Sequence, residues 1–247
     1  GLDRELREIM KEKGVREEDP FDEVVARAQV MEFTKEHQFE EITRQVAIEF
    51  ERNLGLNGKE LEQRFLEGNR IGATPISHGA ALPHIRLPNL KLAEMLIVRV
   101  NELCFVEALD FSGKISLRGP IHAFFFLISP NENPGQHLRI LSLIAGRIDD
   151  ENFLKDWLDA ADEQELKEIL LRDERFLSLR IRNNTPSSVF IGRSLKDISM
   201  PEGCLVALIR RRGETIVPRG LTVILEGDRL TIIGDAQGIE QLNKKYN

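Results

Sequence analysis

Apolar residues recur at helical spacing in two separate parts of the chain, and between and after them they give way to short continuous runs. Phe39, Ile42, Val46, Phe50 and Leu54 fall on one helical face, and "GLNGKE" (55–60) breaks that face before Leu61, Phe65 and Leu66 begin another. "AEMLIVRV" (93–100) and "IHAFFFLIS" (121–129) are too short and too uniformly apolar for exposed helices, so buried strands are predicted there. "NENPGQ" reads as a loop, after which Leu138, Leu141, Ile144 and Ala145 restore the helical period, with further helices expected over 153–161 and 164–171. Helices, strands and helices again around one core predict an α/β layered domain.

The pattern changes near Arg172 to Phe176. Beyond it "FLSLRI", "CLVALIRR", "ETIVP", "LTVIL" and "DRLTIIG" read as strands punctuated by glycines, and only "RSLKDI" and "AQGIEQLNKKY" read as helical. A small α+β domain is expected; it has little core of its own, so pairing with a second copy is expected too. At the other end, Leu2, Leu6, Ile9 and Met10 form one short apolar face and Phe21, Val24, Val25 and Ala28 a second. Two small amphipathic helices predict a connector that clamps onto a neighbouring body. The expected divisions are therefore 1–34, 35–172 and 173–247.

Composition narrows the function. A chain of 247 residues with 41% apolar and 30% charged residues is a folded globular protein in type. Its longest apolar stretch, Ala123 to Ile128, is far below the roughly 20 residues that cross a bilayer, and no basic-then-apolar leader pattern opens it. This piece is expected neither to span a membrane nor to be secreted by itself. A formal charge of −7 disfavours a nucleic-acid partner, and Arg210, Arg211 and Arg212 beside Gly213 read as a solvated hairpin turn. Cys104 and Cys204, each in an apolar run, read as buried free thiols in a reducing compartment.

The chemistry centres on "SHGAALPHIRLPN" (77–89). Pro83 biases Leu82 towards extended backbone, and Gly79, Ala80 and Ala81 admit close backbone neighbours, which places His84 at a strand end, held behind and open in front. A nucleophilic histidine needs one ring nitrogen free and the other oriented by a hydrogen bond. Three readings stand at this level. His84 is a phosphoryl acceptor; or His78, His84, His122 and His137 bind zinc, although no HxH or HExxH spacing supports a metal site; or His84 only closes a strand. His122, leading "AFFFL", reads as structural and His37 as exposed.

"IGATPISHGAALPHIR" (71–86) resembles the active-site signature of the enzyme IIA domains of the fructose and mannitol branch of the bacterial sugar phosphotransferase system. "GQHLRILSLIAG" (135–146) is similar to that family's second motif. The resemblance covers roughly 38–172 and implies a mixed sheet flanked by helices, with His84 as phosphoryl acceptor and His137 as its assistant. It also implies, if transfer is retained, a phosphohistidine-carrying phosphotransferase. Three positions depart from the pattern: Gly68 stands where an arginine is common, Ser77 replaces a glycine, and His78 replaces a small polar residue.

The C-terminal part resembles the RCK-C (TrkA-C) module of regulators of potassium conductance. The likeness is carried by Ile191-Gly192-Arg193-Ser194-Leu195, the Pro201-Glu202-Gly203 turn, "VALIRRRGETIVPRG" (206–220) and "LEGDRLTIIG" (225–234). It implies a homodimer with a small-ligand cleft, taking nucleotides such as a cyclic dinucleotide, bordered by Ile216, Val217, Pro218 and Arg219. Of these, Arg219 has the guanidinium fork that suits phosphate. No GxGxxG occurs, so no cofactor is expected. Together the two resemblances imply the cytoplasmic regulatory region of a bacterial membrane transporter, of cation/proton antiporter or amino-acid permease type. It would sit at the inner face of the inner membrane, with the membrane domain in the same chain or a separate one. The alternative is a phosphocarrier acting through His84.

Overall fold

A computed structural model describes residues 20–109, 114–171 and 176–246 of the chain. They divide into one unit from Pro20 to Leu170 and a second from Leu171 onward. The first unit holds α1 (Pro20–Arg27), β1 (Gln29–Phe33), α2 (Phe39–Leu54), α3 (Gly58–Arg70), β2 (Ile76–Ser77), β3 (Ala80–Ala81), β4 (His84–Leu87), β5 (Glu94–Val100), β6 (Val106–Leu109), β7 (Ile115–Arg118) and β8 (Ala123–Pro130). Helices α4 (Pro134–Ile148), α5 (Phe153–Asp159) and α6 (Glu163–Leu171) follow.

Six strands make a mixed sheet in the order β1-β5-β8-β3-β2, with β4 also pairing to β8. Strand β8 runs antiparallel to β5 but parallel to both β3 and β4. Along β8 the side chains alternate between faces. Phe124 and Phe126 lie on the face where Phe39 of α2 and Phe65 of α3 pack, with ring centroids 5.2 to 6.2 Å apart. Phe125 lies on the other, against Phe153 and Trp157 of α5. Both faces are covered, which explains why the strand is apolar without interruption. Truncating any one of these rings would cost about 3–5 kcal/mol.

The helix punctuation is local chemistry. Gly55 closes α2 in the left-handed region at φ 68°, and the Asn57 side chain caps α3 by accepting the Glu60 N–H at 3.2 Å. The predicted break in "GLNGKE" is this pair of caps.

Residues 20–33 differ from the expected connector ending at 34. Phe21, Val24, Val25 and Ala28 are buried, and β1 forms the edge of the sheet, parallel to β5. Across that pairing Glu32 sits opposite Arg99, a residue 6% exposed whose guanidinium reaches the carboxylate at 2.6 Å. Parallel pairing between segments so far apart leaves no local signal. The predicted helix face of Leu2, Leu6, Ile9 and Met10 lies outside the described residues.

The second unit is a four-stranded antiparallel sheet, order β11-β10-β12-β9, made of β9 (Phe176–Arg180), β10 (Leu205–Arg211), β11 (Glu214–Ile216) and β12 (Arg229–Ile233). Helix α7 (Ala236–Tyr246) and two 3-10 turns, Pro186–Phe190 and Leu195–Asp197, cover one face, where Leu179, Ile209, Leu230 and Ile232 form the core. "LTVIL" is not a strand. Only Val223 makes a bridge, to Ser194, and of the segment only Ile224 is buried, its N–H and carbonyl bonded to Arg193 and Gly192. The arginine triplet is not uniformly solvated either. Arg212 (φ 51°) and Gly213 (φ 85°) form the two-residue turn between β10 and β11, whereas Arg211 makes two 2.7 Å bonds to the fully buried carboxylate of Asp228.

Candidate functional site

His84 opens β4 and is half-buried. Along this strand His84 and Arg86 face one side while Ile85 and Leu87 are buried on the other. The backbone behind His84 is fixed, because the Pro83 carbonyl accepts the Leu127 N–H at 2.9 Å. Its ring is fixed too, with Nδ1 2.9 Å from the Leu82 carbonyl. A carbonyl only accepts, so Nδ1 carries the proton and Nε2 keeps its lone pair. That is the tautomer a nucleophilic imidazole requires.

His137 lies in the first turn of α4, which Asn133 caps by accepting the Gln136 N–H at 3.1 Å. It is 6% exposed, its Nδ1 is 2.9 Å from the Ser129 hydroxyl, and its ring centroid is 5.2 Å from that of His84. Burial, and then the charges of His84 and Arg86, push its pKa down to about 4. His137 is therefore neutral at pH 7. Strand register explains the convergence: on β8, Leu127 is the partner of His84, and Ser129, which holds His137, is the partner of Arg86.

The other predicted residues separate from this pair. His122 donates from Nδ1 to the Val100 carbonyl at 2.8 Å, a strand-edge bond. His78, in the left-handed region at φ 45°, is exposed in the turn before His84, with Nδ1 2.8 Å from Ser77 Oγ and 3.4 Å from Asp149 Oδ1. His37 contacts Glu41 and meets the Phe33 ring edge-to-face. Among the described residues no three His, Cys, Asp or Glu converge as a metal site. Gly68 has open space where its side chain would lie. An apolar cleft of about 250 Å³ is lined by Pro75, Leu82, Leu141 and Ala145, and neither His84 nor His137 lines it.

In the second unit, Ile216 ends β11 and packs on the core, Val217 is 71% exposed, and Arg219 is exposed on the following loop, its N–H donating to Thr222 Oγ1 at 2.9 Å. Cys104 is free and buried, and burial pushes its thiol up to about 12, so it is inert at neutral pH. Cys204 is free and partly buried. Ser129 and Arg86 were not singled out by the sequence. A lone hydroxyl inside an apolar strand is itself a signal, since a buried polar group needs a partner.

Residues 21–173 match the family described as the phosphoenolpyruvate-dependent sugar phosphotransferase system, EIIA 2, and residues 179–247 match the TrkA-C domain. The chain belongs to the EIIA 2 family over the first of these spans and carries a TrkA-C domain over the second. It is 23% identical over 151 residues to a nitrogen regulatory protein of Bradyrhizobium diazoefficiens, covering 61% of this chain and 94% of that relative. Over 59 residues it is 34% identical to the Trk system potassium uptake protein TrkA homolog 1 of Methanosarcina mazei, covering 24% of this chain and 13% of that one. The nitrogen regulatory protein IIA-Ntr of Neisseria meningitidis has the same fold, with TM-score 0.50 and 21% identity over 60% of this chain and 97% of its own.

Proposed function

We propose that this chain is a regulatory unit of bacterial membrane transport, in which the TrkA-C domain responds to a small ligand and the EIIA 2 domain supplies a second input. The observation that carries the reading is the pairing itself. One chain joins a domain similar to nitrogen regulatory proteins to a domain similar to part of a potassium uptake protein. The unit acts at the cytoplasmic face of the inner membrane on a transporter domain, in the same chain or a separate one. The C-terminal domain pairs with a second copy, and the segment Ile216 to Arg219 borders the ligand cleft. Regulation then requires only that the ligand bind two states of the pair with different affinity. Sedimentation together with thermal shifts across a nucleotide panel, cyclic dinucleotides included, tests this. A dimer with at least one ligand-dependent shift, lost in Arg219→Ala, is expected; single copies at high concentration and no shift would overturn it.

A second reading is favoured by the histidine geometry: His84 accepts a phosphoryl group. Nε2 attacks phosphorus, the bond to the donor atom breaks, and its electron pair leaves with the donor. The ring, still holding Nδ1–H, becomes cationic and is stabilised by the Leu82 carbonyl. His137 stays neutral and offers the phosphoryl group a hydrogen bond but no positive charge. With labelled phosphoenolpyruvate and the general phosphotransferase proteins, the chain is expected to take up label and His84→Ala to take up none. Absence of label in the native chain would remove the carrier reading and leave the sensor reading intact.

A further inference from the structure

This inference rests on the acceptor reading of His84. A phosphoryl group on Nε2 brings about two negative charges to the rim of the sheet, and its transfer is fast only where fixed cations or N–H donors meet that charge. His137 is neutral at pH 7 and Ser129 is uncharged, so neither supplies a cation. Gly68 supplies none either.

Arg86 lies two residues after His84 on the same side of β4. Its partner on β8 is Ser129, the residue that holds His137, so the strand register brings His84, Arg86 and His137 to one place. The Arg86 backbone is pinned, because its carbonyl accepts from Arg64 Nη2 at 2.7 Å. Its side chain is exposed, and among the described residues it has no carboxylate partner. The charge of Arg86 is also one of the causes that keep His137 neutral, which places the guanidinium within electrostatic reach of the pair.

We infer that Arg86 grips the phosphoryl group carried on Nε2 of His84, its guanidinium fork taking phosphoryl oxygens on the open side of β4 while His137 approaches from α4. The donor is a phosphohistidine of a phosphotransferase protein. As the new N–P bond forms at Nε2, the donor's N–P bond breaks and its electron pair returns to the donor ring. Arg86 moves no proton and neutralises charge on the group in flight.

The test uses the full chain as wild type, Arg86→Gln, Arg86→Lys and His84→Ala, with labelled phosphoenolpyruvate and the general phosphotransferase proteins, following the rate of labelling against donor concentration. Arg86→Gln is expected to slow labelling on the order of 10- to 100-fold in kcat, with unchanged Trp157 emission, and Arg86→Lys to recover part of the rate as a point charge without the fork. Equal rates in wild type and Arg86→Gln would overturn the role of Arg86 while the acceptor reading stood. A loss confined to KM for the donor would make Arg86 a docking residue and overturn it too. No label in the wild type would overturn the acceptor reading and this inference together.

Discussion

His137 is neutral because it is buried, and that has a cost in acid. Its pKa is about 4 when folded against 6.5 for a free imidazole, so between these values the unfolded chain binds more protons than the native one. Stability from this residue is complete above about pH 6.5 and is lost as pH falls towards 4, to a total of up to about 3 kcal/mol. Trp157 is the one tryptophan and is fully buried in the first unit, so its emission reports that unit alone. Urea midpoints read from it are expected to fall between about pH 7 and about pH 4.5 in the native chain and to change less in His137→Gln, which cannot titrate. At this scale His84 was legible because proline and small residues frame it. Arg86 was not: a charged residue on the open side of a strand looks the same whether it meets a ligand or only water.

Among the elements, the hinge of the C-terminal sheet is Asp228. It is fully buried, yet its carboxylate takes both Arg211 bonds and the Leu225 N–H at 2.8 Å, and Arg211 also reaches the Val223 carbonyl. The loop before β12 is thereby tied to the end of β10. Asp228→Ala strands a guanidinium and an amide N–H and is expected to cost about 3–5 kcal/mol. Hydrogen exchange should show protection lost along β12 while β8 amides, in the other unit, keep theirs; retained protection on β12 would refute the tie. Asp228→Asn keeps the shape and is expected to cost less. The strands around this tie were readable from their β-branched runs, but "RRRG" and "LEGD" carry no mark that one arginine and one aspartate are partners. "LTVIL" misled because its apolar residues look strand-like, whereas Leu221 is 73% exposed and the backbone bonds to the 192–195 segment instead of a strand ladder.

At the level of the whole molecule, two units were legible because the hydrophobic period changes from helical to strand-like and back, and because glycine turns crowd the last part. The single tyrosine, Tyr246, packs its ring 4.6 Å from Phe190 in the second unit. A fluorotyrosine label there would give one resonance with which to test the proposed ligand binding by the TrkA-C domain, beside Trp157 for the EIIA 2 domain. The start of the first domain was illegible for a different reason. Strand β1 is short, its burial is partial, and its partner β5 is distant in sequence, so nothing in "QVMEF" announces that it completes a sheet. Anyone dissecting the protein by its signature-bearing region would cut at residue 35 and discard that strand. The fragment would then present a bare row of amides and carbonyls along β5, with the Arg99 guanidinium deprived of Glu32. Clumping of such a fragment would report the position of the cut, not a defect of the domain.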